Sequence, residues 1–473
     1  MRASIPLLVV SMLIFACGGA TSTRTAQSDS STDILGAKGA LEGNDEEGGE
    51  LLRPFATPTG AIQTFTLTGE VDTNNPFFTS LGTNGRSCVS CHQASDGWTI
   101  TPRHVQARFN ATNGLDPIFR RNDGANSPNI DDSTVEARRR GYSMLLSKAL
   151  IRIGIGIPGT AEFELVAADD PYHFASSSEL SLFRRPLPST NLKFLATVMW
   201  DGRETFRGAS IDFDLLDQAN AATRGHAQAI ADLTLQQRRE IVDLEMTLFT
   251  AAIDDQDAGR LDQQGARGGP EFIERERFYI GINDVLGADP TGRPFDPHVF
   301  TIFDAWTNLE RGRRAEARAT VARGQRLFNT REIHITEVKG LNDDLGVQDL
   351  VGTCTTCHDT PNAGNHSVSL PIDIGLAAES RRTADLPLYT LRNRTTGELI
   401  RTTDPGRALI TGRWRDIGKF KGPILRGLSA RAPYFHNGFA PDLSAVVEFY
   451  DGRFNMHLSD EEKSDLVAFL RAL

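Results

Sequence analysis

The sequence predicts a mainly α protein with β-hairpin insertions, built as two units that each enclose one copy of the same pentapeptide. Three observations carry this expectation. Cys88-Val89-Ser90-Cys91-His92 recurs as Cys354-Thr355-Thr356-Cys357-His358. Apolar residues return at helical intervals over 216–253 and the stretch after Ser459, as a helix with one buried face requires. Two segments, 151–167 and 386–402, alternate as strands do and contain Pro158-Gly159 and Thr396-Gly397 as turns.

The pentapeptide spacing suits covalent c-type haem, because two thioethers clamp the porphyrin edge while the histidine that follows is carried under the iron. Cys88, Cys91 and His92 would hold one haem and Cys354, Cys357 and His358 a second, with His92 and His358 as iron ligands. A dithiol redox pair or half of a four-ligand zinc site also uses Cys-x-x-Cys, but neither needs the histidine. The remaining cysteine is Cys17.

Cys17 closes a short leader. Met1-Arg2 is a positive start, and the apolar run from Ile5 to Phe15 is too short to span a bilayer as a mature helix. Ile14-Phe15-Ala16-Cys17 resembles a bacterial lipobox, with 1–17 as signal peptide and Cys17 as the lipidated N-terminus; an ordinary signal cleaved near Ala16 or Ala20 is the alternative. Either way the chain is expected outside the cytoplasm, in the periplasm, touching membrane only through that lipid. Residues 18–53, rich in Gly, Ser, Thr and acids, read as a flexible tether. A net charge of −11 and a pI near 5.5 argue against nucleic-acid binding, and Arg138-Arg139-Arg140 reads as a solvated helix face.

The elements follow in order. An N-terminal unit, 54–310, carries the first pentapeptide, a Pro/Asn/Asp-rich loop over 110–132, a helix over 133–150 and the 151–167 hairpin. Residues 216–253 are expected to be helical, with Ile241, Leu244, Glu245, Leu248 and Ala252 on one face. The C-terminal unit, 311–473, opens with 315–328, which resembles the first helix of a small cytochrome c domain, carries the 386–402 hairpin, and ends with a helix in which Ser459 and Glu462 form a capping box and Leu466, Phe469, Leu470 and Leu473 make the buried stripe.

The segment Lys421-Gly422-Pro423-Ile424-Leu425-Arg426-Gly427-Leu428-Ser429-Ala430-Arg431-Ala432-Pro433-Tyr434-Phe435-His436-Asn437-Gly438, with Met199-Trp200-Asp201-Gly202-Arg203 after the first pentapeptide, resembles the bacterial dihaem cytochrome c peroxidases and their MauG-type relatives. The resemblance implies two cytochrome c-type haem domains, the first and last helices of the second crossing, and peroxide reduction at the N-terminal haem. It places Trp200 between the haems as an electron conduit and leaves Trp98, Trp306 and Trp414 to the core. Tyr450 falls where typical peroxidases carry a methionine ligand and MauG-type proteins a tyrosine; Met456 competes for that role, and simple packing of Tyr450 on the haem edge is the third reading. A phenolate would favour ferric iron. His436 reads as a hydrogen-bonding group near the pocket.

At the first haem the chain departs from that pattern. The displaceable histidine ligand should fall near 175–177, where there is none; His173 and His104 are nearby candidates that read more simply as surface or pocket histidines. The acid-base glutamate aligns with Gln228, which exchanges no proton at neutral pH, so His226 becomes the candidate for acid-base group or distal ligand, with an exposed helix-cap histidine as the alternative. The calcium ion of many relatives loses its asparagine ligand to a position near Arg185, which counts against calcium. The expected partners are hydrogen peroxide and a small donor cytochrome or cupredoxin. A MauG-like oxidation of a protein or organic substrate, and a non-catalytic dihaem electron-transfer protein, stay open.

Overall fold

The computed structural model describes residues 45–206, 208–309, 312–359 and 371–473, all within one unit, Gly43–Leu473. The signal peptide, Cys17 and the first part of the tether lie outside the described residues. The expected tether does not reach Arg53. Residues Asp45–Glu50 form a helix, Gly48 sits so close to the carbonyl of Val71 that a Cβ would collide with it, and Leu51 and Leu52 pack into the cluster around Phe77 and Trp98. Those two leucines have an apolar surface to cover, and composition alone hid it.

Strands Phe55–Thr57 and Gly60–Phe65 form a hairpin that continues through Phe249–Asp255 to Gly259–Arg260, a four-stranded antiparallel sheet. This corrects the helix expected to run through residue 253. The region holds two helices, Ile211–Gly225 and Leu235–Thr247, and then turns to strand at Phe249. A strand buried on both faces shows no alternation, so its apolar run imitates a helix face. Leu248 and Ala252 are fully buried but not helical.

The helix expected over 133–150 breaks at Tyr142 into Val135–Gly141 and Ser143–Lys148, and the N-cap is Thr134, whose hydroxyl accepts from the N–H of Ala137. The 151–167 hairpin is also corrected. Both strands exist, but Ile151–Ile155 pairs with Leu180–Arg184, and Phe163–Asp169 pairs with Leu388–Asn393. The Pro158 turn is closed by Ala161 N–H to the Pro158 carbonyl at 2.9 Å without the positive φ that tight hairpin turns use, so the strands part. The second hairpin stands as expected, with Leu388–Asn393 against Leu399–Thr402 and Gly397 at φ 75°.

Helix Arg313–Thr330 crosses Asp460–Arg471 at Gly324, where a Cβ would meet the carbonyl oxygen of Asp465 and lie 2.8 Å from the Cβ of Phe469. Phe328 and Phe469 pack with ring centroids 5.4 Å apart, and Arg323 binds Asp465 beside them. The Ser459–Glu462 capping box is present, and Leu466, Phe469, Leu470 and Leu473 are buried. This core also takes in Ala252, Phe300, Phe303 and Trp306, residues that precede 311 in the chain. Trp98 and Trp306 are fully buried, whereas Trp414 is only partly so and donates to the carboxylate of Glu398 at 3.2 Å. Among the described residues no helix is long and apolar enough to cross a membrane.

Candidate active site

Each pentapeptide winds into one 3-10 turn, Cys88–Ser90 and Cys354–Thr356, held by the same reverse contact. The N–H of Ser87 donates to Ser90 Oγ at 3.1 Å, and that of Thr353 to Thr356 Oγ1 at 2.9 Å. The N–H groups of His92 and His358 then donate to the carbonyls of Cys88 and Cys354 at 3.0 and 3.1 Å. The turn brings the reactive side chains to one side: Cys88, Cys91 and His92 line one cavity, and Cys354, Cys357 and His358 another.

The residues fit c-type haem. The Nδ1 of His92 is 3.0 Å from both the Trp98 carbonyl and Ser189 Oγ, so Nδ1 carries the proton and Nε2 keeps its lone pair for iron. Burial lowers the His92 pKa to about 4, which keeps it neutral. Burial also pushes all four thiols up, Cys354 and Cys357 to about 12, whereas zinc and dithiol chemistry both need thiolate. Among the described residues no group of three or more His, Cys, Asp or Glu converges as a metal site. Among the described residues neither ring nitrogen of His436, buried on the second cavity, has a hydrogen-bond partner, as expected where a polar cofactor edge belongs.

Trp200 lines both cavities. Its indole N–H donates to the Arg185 carbonyl at 2.7 Å, and its ring meets that of His436 edge-on at 6.1 Å. Next to it Asp201 is buried; burial would raise its pKa, but Arg184 and Arg203 outweigh this and hold it at about 2. Arg184 also binds Asp404, so the Trp-Asp-Gly-Arg segment is anchored to the C-terminal half by buried ion pairs.

On the first cavity His226 ends helix Ile211–Gly225, and its Nδ1 binds the carboxylate of Asp123. Gln228 is exposed, its side-chain carbonyl accepting from Asn84 at 3.4 Å, and it lies outside the cavity wall. His104 binds Asp96 at 2.6 Å and His173 is exposed at φ 53°; neither lines either of these two cavities. Tyr450, on helix Leu443–Phe454, and Met456 both line the second cavity, with the Tyr450 and His358 rings 6.4 Å apart. Burial raises the Tyr450 phenol.

Sequence reasoning missed the acid-base potential of Glu245. It is buried on the first cavity, with Oε2 unpartnered among the described residues and its pKa raised by burial to about 7. A carboxylate on the apolar stripe of Ile241 and Leu244 was the available signal.

No protein-family model matches the chain. It is 33% identical over 132 residues to the cytochrome-c peroxidase IdrP2 of Denitromonas iodatirespirans, covering 26% of this chain and 36% of that protein. It is 41% identical over 70 residues to the cytochrome c551 peroxidase of Nitrosomonas europaea (14% and 21%), and 31% over 121 residues to the cytochrome c peroxidase Ccp of Escherichia coli (25% and 22%). The chain thus spans about a third or less of the length of these relatives. Over about a quarter of its length or less the chain is thus similar to bacterial cytochrome c peroxidases, and each of its two pentapeptide turns lines a cavity.

Proposed function

We propose that this chain is a dihaem c-type oxidoreductase that reduces hydrogen peroxide at the N-terminal cavity, drawing electrons through the C-terminal cavity and Trp200. In this reading two cytochrome c-type haem domains are joined in a protein exported to the periplasm and anchored by a lipidated Cys17. The observation that carries it is the position of Trp200 in the wall common to both cavities.

Covalently bound haem would supply peroxide binding and one-electron redox chemistry. The chain supplies the rest. Cys88, Cys91, Cys354 and Cys357 would hold the porphyrins, and His92 and His358 would ligate iron, His92 through the Nε2 that its Nδ1 contacts leave free. His226, its Nδ1 held by Asp123, takes the peroxide proton at Nε2 and returns it to the leaving oxygen. Trp200 offers an aromatic path between the cavities. Tyr450 would be the preferred protein ligand opposite His358 in the second cavity, which leans toward MauG-like oxidation of a protein or organic substrate, with Met456 as its rival. A small cytochrome or cupredoxin returns the electrons.

Intact mass of protein from a maturation-competent host should show two attached haems, and steady-state assay should show peroxide turnover with a reduced cytochrome. No turnover with both haems loaded overturns the peroxidase reading. A non-catalytic electron-transfer protein is the second reading, favoured by the placement of His92 and His226 on one cavity, where both can ligate. High-spin ferric haem in the electron paramagnetic resonance spectrum sinks that alternative.

A further inference from the structure

Between the two cavities runs a shared wall, and two of its members are cations. Arg185 and Lys421 each line both cavities, and both are buried, at 5% and 3% exposure. Neighbouring Arg184 is neutralised by Asp201 and Asp404. Arg185 and Lys421 are not. The Arg185 guanidinium donates to the carbonyls of Lys148 and Arg431 at 3.1 and 3.0 Å, and the Lys421 ammonium to the carbonyl of Thr197 at 3.0 Å. Among the described residues neither forms an ion pair with a carboxylate. Asp96, the carboxylate that favours the Arg185 charge from a distance, is already bound by Thr101 and His104. Cations taken out of water with only neutral carbonyls for company are unfavourable, so the fold holds two positive charges that await anions. Burial lowers Lys421 to about 7, the mark of an ammonium without a counter-charge.

Resting on the dihaem reading, we propose that Arg185 and Lys421 form a cationic septum that receives carboxylate groups of both porphyrins, so that one pair of side chains sets the reduction potentials of both haems together. A fixed positive charge favours the reduced iron, which carries one charge fewer. Losing a septum charge therefore lowers both potentials, whereas a side chain serving one cavity lowers one.

The test is potentiometric titration of the holoprotein, following each haem optically, for wild type, Lys421→Gln and the charge-keeping Lys421→Arg. The expected result is a fall in both midpoints for Lys421→Gln, each by roughly a tenfold change in the one-electron equilibrium, about 59 mV, with Lys421→Arg near wild type. Should Lys421→Gln fail to fold or load, Arg185→Gln against Arg185→Lys is read the same way. A shift at one haem alone, or at neither, with both haems present by intact mass, overturns the septum and leaves the dihaem reading standing. Fewer than two haems in the wild type overturns both.

Discussion

The carboxylate of Asp123 binds the Nδ1 of His226 with one oxygen and the guanidinium of Arg86 with the other. Burial would raise this carboxyl, but Arg86 and His226 outweigh it and hold it below the usual range. The anion thus fixes the ring of a residue that lines the first cavity and occupies Nδ1 rather than Nε2.

His226→Ala should lower peroxide turnover by roughly 10²–10⁴-fold, the usual contribution of a positioned acid-base group, while both haems stay attached. The check is steady-state rate beside intact mass. Asp123→Ala should behave differently, because it leaves Arg86 buried and unpaired at 3% side-chain exposure. A loss of about 3–5 kcal/mol in urea unfolding is expected there.

Stability should fall as pH rises across the Glu245 titration. Its folded pKa, about 7, lies above the ordinary 4.5, so between these values the folded state holds a proton that the unfolded state releases. The stabilising contribution is complete below the lower value and gone above the upper one, about 3 kcal/mol in all. Glu245→Gln should flatten that slope in unfolding measured across the window.

Gly324→Ala should destabilise the C-terminal core by about 1–3 kcal/mol through overpacking, since the new Cβ meets the Asp465 carbonyl oxygen. Chemical denaturation reads this directly. Gly452, with open space around the Cβ position, is the control.

On the proposed dihaem reading, Tyr450→Phe should change the optical and paramagnetic spectra of the second haem and leave the first unaltered, while Met456→Leu leaves both as in wild type. The reverse pattern would assign the ligand to Met456.

Much of the site was legible because its chemistry is local. A Cys-x-x-Cys-His turn needs five consecutive residues, and the Ser459–Glu462 cap needs four, so pattern and structure coincide there. His226 was also reachable, since it lies two residues from the expected acid-base position. Its partner Asp123 was not, being more than a hundred residues away. The strands at 151–155 and 163–169 were legible as strands, but their pairing was not, because either could satisfy its backbone against several edges.

By itself the sequence determined what is carried by neighbours in the chain: two Cys-x-x-Cys-His turns, helix periods and caps. Only the tertiary structure decided what depends on burial and distant contact. It turned 249–255 from helix to strand, put Trp200 on both cavities, raised Glu245 and gave Arg185 and Lys421 no carboxylate partner among the described residues. The reason is that desolvation and pairing are properties of a side chain's surroundings, which residues far away in sequence supply.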